Sequence, residues 1–103
     1  MEKPRCCDLN SFGKDAGLLA GFLKAAAEEN RLKILCLLKQ GERCVCDIWQ
    51  NLDIPQNLAS HHLRVLSNSG LIDSRRDGLK MIYSLNKDKI AQFNTLLSNF
   101  LVK

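Results

Sequence analysis

Apolar positions recur three and four residues apart along most of the chain and alternate once, near its C-terminal third. Leu19, Phe22, Leu23 and Ala26 predict a first helix over about residues 14–28, broken by Asn30. The run "RLKILCLLKQG" then sets Leu32, Leu35, Cys36 and Leu38 on the apolar side of a second helix that Gly41 closes. A short third helix is expected from Val45 or Cys46 to Leu52, with Asp47 in its first turn, where a carboxylate suits the positive end of the helix dipole. After the break at "LDIP", the stretch "PQNLASHHLRVLSNSG" predicts a fourth helix with Pro55 in its first turn. It would bury Leu58, Leu63 and Leu66 and stop at Gly70. The period then changes to two in "LIDSRRDGLKMIYSLN". Strands are expected over residues 71–75 and 80–85, joined through a turn that Asp77-Gly78 favours. A final helix over 87–103 carries Ile90, Phe93, Leu97, Phe100 and Leu101 on one stripe.

The face of the fourth helix away from its leucines offers Gln56, Asn57, Ser60, His61 and Arg64, all able to hydrogen-bond. Two helices joined by a turn of about four residues, the second with such a face, outline a helix-turn-helix. A hairpin carrying Arg75, Arg76 and Lys80 directly after it reads as a wing. The C-terminal stripe is too apolar to close within so small a domain and is expected to meet a second subunit. Leu19 and Phe22 are placed with Phe93, Leu97 and Phe100 in that interface. The expected fold is thus mainly α with a β-hairpin wing, a homodimeric winged helix-turn-helix. One domain spans residues 1–103, with an N-terminal arm (1–14), the helix-turn-helix (45–70), the wing (71–86) and a C-terminal dimerisation helix (87–103).

Composition narrows the function. Hydrophobic residues make up 46% and charged residues 25%, as in ordinary soluble domains. No apolar run is long enough to span a membrane, and the start "MEKPRCCDLN" lacks the apolar core of a signal peptide, so a cytoplasmic protein without membrane contact is expected. The net charge of +4 lies entirely in residues 54–103, which carry seven Lys/Arg against three Asp/Glu. A basic half suits a polyanion such as double-stranded DNA. No nucleophile–base grouping, carboxylate pair or phosphate loop points to an enzyme, and no organic cofactor is expected. In a reducing compartment the five cysteines, Cys6, Cys7, Cys36, Cys44 and Cys46, read as ligands or redox thiols rather than a disulfide framework.

Four stretches, "AAAEENRLKILCLL", "GERCVCDIW", "PQNLASHHLRVLSNSGLI" and "RRDGLKMIYSL", resemble the ArsR/SmtB family of metal-responsive winged-helix repressors, over roughly residues 18–101. The resemblance implies a dimer whose recognition helices enter successive major grooves of a pseudo-palindromic operator. Gln56, Asn57, Ser60 and His61 would then face base edges. Arg64, Arg75, Arg76 and Lys80 would meet phosphate or the minor groove.

The "CVCD" motif resembles the branch of the family that senses soft metals or metalloids. Mid-helix, residues i and i+2 point about 200° apart, but at a helix entrance Cys44 and Cys46 can turn to one side. There the helix N-terminus and Arg43 favour thiolate. Two thiolates are too few for As(III), Cd(II), Pb(II) or Zn(II). Trp49 stands where some relatives carry a third cysteine, so Cys6 and Cys7 of the arm are expected to complete the site, as the arm does in other relatives. As(III), Cd(II) and Pb(II) are expected inducers ahead of Zn(II). The family's other metal site, across the C-terminal helices, is expected to be absent, since residues 87–103 offer Asp88 but no His or Glu. Cys36 reads as a core residue. The alternative is a thiol-redox repressor responding to persulfide or oxidant through Cys36 or the N-terminal pair.

Overall fold

The computed structural model describes residues 9–101, with side chains from residue 13 onward. The elements in order are α1 (Leu9–Ala26), α2 (Glu29–Lys39), β1 (Arg43–Cys44), α3 (Val45–Leu52), α4 (Gln56–Ser69), β2 (Ile72–Asp77), β3 (Lys80–Leu85) and α5 (Lys87–Leu101). The architecture is the expected one: five helices and a small antiparallel sheet that forms a wing behind a helix-turn-helix.

α1 starts earlier than the apolar pattern predicts, so residues 9–14, assigned above to the arm, are helical. Gly13, Gly17 and Gly21 lie on its open side, and each weakens a helix by roughly 0.5–1 kcal/mol relative to alanine. Burial of Leu19, Phe22, Ala25 and Ala26 on the opposite side offsets that cost. The break falls at residues 27–28, not at Asn30. Glu28 is extended there, and its carboxylate accepts the N–H groups of Asn30 and Arg31, which starts α2.

The apolar phase of α2 differs from the expected one. Ile34 and Leu38 are buried and Leu35 is half-buried, whereas Leu32 is 55% exposed and Cys36 is exposed. Cys36 is therefore a surface thiol and not a core residue. α3 ends at Asp53, which takes the left-handed conformation (φ 56°, ψ 48°) that a short polar side chain tolerates. Pro55 sits just outside α4 as its N-cap, its carbonyl accepting the Leu58 and Ala59 N–H groups at 3.1 Å each. Along α4 the buried stripe is Ala59, His62, Leu63 and Leu66, and Leu58 is turned outward. Gly70 (φ 86°) closes the helix.

β2 and β3 pair from Ile72↔Leu85 to Asp77↔Lys80, leaving only Gly78 and Leu79 as the turn, with Gly78 at φ 66°. The hairpin is thus longer and its turn tighter than expected. A third strand, which the sequence did not announce, adds to it: β1 pairs with β3 through Arg43↔Tyr83 and Cys44↔Ile82.

Phe22, Ile34, Ile48, Leu63, Leu66 and Leu71 are fully buried where the helices meet the base of the wing. Each such side chain contributes on the order of 1.5–3 kcal/mol. Leu19 and Phe22, expected at a subunit interface, belong to this core at 6% and 2% exposure. Phe93 of α5 packs on Phe22 with ring centroids 5.5 Å apart, so the aromatic stripe is half closed within one chain. What α1 and α5 leave outside is Leu18, Leu23 and Leu101.

His62 is the one buried polar side chain among the described residues. Its Nε2 lies 3.8 Å from the Glu28 carboxylate, and its Nδ1 has no hydrogen-bond partner among the described residues. Burial pushes its pKa below the ordinary 6.5, the Glu28 charge opposing this in part, with Arg31 and His61 adding to the depression. The folded state therefore holds His62 neutral while the unfolded chain takes up a proton first. Stability is full above about pH 6.5 and falls as pH drops toward the lowered folded value. Thermal unfolding followed by circular dichroism from pH 7.5 to 5.5 should show that decline, and His62→Leu should flatten it. An unchanged slope in the variant would assign the acid sensitivity to other groups.

Candidate functional site

Cys44 is the N-cap of α3, extended at φ −78° and ψ 160°, with Cys46 and Asp47 in the first turn behind it. The extended cap lets the Cys44 side chain swing to the side that Cys46 occupies. Their sulfurs are joined as a disulfide, with Cα atoms 5.4 Å apart, where the sequence reading expected two reduced thiols. The Asp47 carboxylate joins them. Ligand atoms of Cys44, Cys46 and Asp47 all lie within 4.8 Å of one another, and the residues grade from buried to exposed. Two sulfurs and a carboxylate oxygen at the positive end of a helix fit a soft divalent cation once the sulfurs are reduced to thiolates. From the sequence, Asp47 has only a favourable charge at the positive end of the helix dipole. Its position three residues after Cys44 on the entering turn was the signal for more.

Arg43, expected to support thiolate, precedes Cys44 in β1, and successive strand residues face opposite sides. Its guanidinium bonds to the Gln40 side-chain oxygen at 3.4 Å. Cys6 and Cys7 lie outside the described residues. Cys36, on α2, is not part of the cluster.

On α4, Gln56, Asn57, Ser60, His61 and Arg64 are all exposed, and four of them line one shallow depression. His61 faces outward while its neighbour His62 is buried, their rings 5.5 Å apart. The short connection from α3 (Asp53 to Pro55) presents this face clear of the rest of the chain. Arg76 and Lys80 are exposed near the wing tip. Arg75 is exposed too but engaged: its Nη2 donates to Glu42 Oε1 at 2.7 Å. The hydrogen bond and charge of Arg75 hold the Glu42 carboxyl below its usual range, and the same pair, with a smaller push from Asp77, raises Arg75. Glu42 was not a candidate in the sequence, because its partner lies 33 residues away.

Residues 28–74 match the family model of bacterial regulatory proteins of the arsR family. The chain is 39% identical over 87 residues to the cadmium resistance transcriptional regulatory protein CadC of Listeria innocua, covering 84% of this chain and 73% of the relative. It is 36% identical over 76 residues to the arsenical resistance operon repressor of Staphylococcus xylosus, covering 74% and 73%. Among solved structures, a possible transcriptional regulator for arsenical resistance matches with a TM-score of 0.73, 33% identity and coverage of 79% of this chain and 84% of the other. HlyU from Vibrio cholerae matches with a TM-score of 0.70, 30% identity and coverage of 87% and 98%. Among the described residues no helix is long and apolar enough to cross a membrane. Carrying a winged helix-turn-helix whose polar α4 face stands clear and whose preceding helix opens on a Cys-Val-Cys-Asp cluster, the chain belongs to the arsR family of DNA-binding transcriptional regulators and is not an enzyme.

Proposed function

We propose that the protein is a repressor that binds operator DNA as a homodimer and leaves it when a thiophilic ion occupies Cys44 and Cys46. The observation that carries this reading is the convergence of both sulfurs and the Asp47 carboxylate at the helix before the recognition helix. Relatives named for cadmium and arsenical resistance support the class of ion. Cys44, Cys46 and Asp47 would hold it, with Cys6 or Cys7 completing the set. The mixed sulfur and oxygen donors favour Cd(II) or Pb(II). As(III), satisfied by three thiolates, would use an arm cysteine in place of Asp47. Once bound, the ion supplies a link between the N-cap of α3 and its first turn.

α3 buries Ile48 in the same core as Leu63 and Leu66 of α4, so a shift of one helix is felt by the other. A coupling of ~1–3 kcal/mol between the two sites would lower operator affinity several-fold to more than a hundredfold. Dimerisation through α1 and α5 is supported by the exposed Leu18, Leu23 and Leu101. The joined Cys44 and Cys46 sulfurs favour a second reading, a thiol-redox regulator acting through this pair rather than through Cys36. Oxidised and reduced protein would then differ in operator affinity without any metal.

Operator fragments selected from random-sequence DNA provide the assay. In reduced protein, Cys44→Ser or Cys46→Ser should keep operator binding, read by fluorescence anisotropy, and lose release by Cd(II) or As(III). Retained release in both would remove the cysteine site from the mechanism. Ser60→Ala with His61→Ala should weaken the selected site by on the order of 1–3 kcal/mol and leave random DNA nearly unaffected. Equal losses on both DNAs would mean that this face does not read sequence. Leu18→Glu with Leu23→Glu should sediment as a monomer and bind operator poorly, and a variant that stays dimeric would place the interface elsewhere.

A further inference from the structure

The wing and the cysteine site share one sheet. β3 lies between β1 and β2, and Ile82 pairs with Cys44 on one side and Arg75 on the other. Residues paired across antiparallel strands project to the same face, so Cys44, Ile82 and Arg75 form one row. Glu42 stands just ahead of β1, two residues before Cys44. From there its carboxylate reaches across to Arg75 at 2.7 Å. Both side chains are about half exposed, so the pair is open to competition. An arginine needs its guanidinium free to take up phosphate, and a carboxylate beside it repels phosphate.

We propose that Glu42 is a latch on the wing: its carboxylate withholds Arg75 from DNA phosphate, and its attachment to the start of β1 places that arginine under the control of the cysteine site. The second half of this proposal rests on the metal-responsive reading above. An exposed ion pair is weak in water, so a small displacement of β1 decides whether Arg75 faces Glu42 or phosphate. Fixing Cys44 and Cys46 to a common ligand holds β1 and the latch closed. With the thiols free, β1 gives way for part of the time and Arg75 then adds to the grip on DNA, while the remaining molecules stay latched.

Two measurements test this, both on reduced, full-length protein whose folding is checked by circular dichroism. In the absence of metal, Glu42→Gln should bind operator about two- to fivefold tighter and steepen the salt dependence by about one phosphate contact. Adding Arg75→Gln should abolish both gains. No tightening in Glu42→Gln, or tightening that survives Arg75→Gln, would overturn the latch. With Cd(II) added, Glu42→Gln should retain the sulfur-to-metal absorption band but lose about two- to fivefold of the ion's effect on operator affinity. An undiminished ion effect in that variant would overturn the link to the cysteine site. If Cd(II) leaves wild-type affinity unchanged, the metal-responsive reading fails and the link with it, while the metal-free comparison still decides the latch.

Discussion

Burial of one side of α4 holds the rest of the molecule in place. Leu63 and Leu66 are closed off among Ile34 of α2, Ile48 of α3 and Leu71 at the base of the wing. Because these contacts come from three directions, the helix can neither roll nor slide without opening a cavity, which typically costs 2–5 kcal/mol per large aliphatic side chain lost. That constraint presents the opposite side of α4 at a fixed angle. It also makes α3, anchored through Ile48, a lever on that angle.

Much of this was legible in the sequence because the strongest signals were local. Gly70 closes α4 as expected, α3 runs from Val45 to Leu52, and the polar residues from Gln56 to Arg64 are all outside. The errors share a physical origin. In α2, apolar residues stand at Leu32, Ile34, Leu35, Leu37 and Leu38, spread over more than half of the helix circumference, so periodicity marks the buried side poorly, and Cys36 falls on the side they leave open. In α4 the small Ala59 was passed over for the larger Leu58, although closeness to neighbouring helices favours alanine. Phe22 looked available to a partner because nothing local reveals that Phe93 covers it.

The candidate site was less legible than the fold, for a related reason. Cys44 and Cys46 stand out by type, but the features that organise them come from elsewhere in the chain. β1 is two residues long, too short to show any alternation, and exists because β3 offers Tyr83 and Ile82 as partners. Glu42 takes on meaning only through Arg75, which tertiary structure brings alongside. Asp47 was visible as a helix-start residue, and its nearness to both sulfurs follows from Cys44 being the cap rather than a member of the helix.

The adjacent histidines of α4 divide that helix between two kinds of constraint. His62 is enclosed against Glu28, whereas His61 and the side chains of Gln56, Asn57, Ser60 and Arg64 stand in solvent. Exchanging those outward residues leaves the core untouched, and surface changes of this kind usually alter stability by no more than about 0.5 kcal/mol. On the proposed reading of that face, DNA preference would drift, or be redesigned, almost independently of foldability and of the cysteine cluster. The same scaffold would then be re-addressed to new promoters with the proposed cysteine site left as it is.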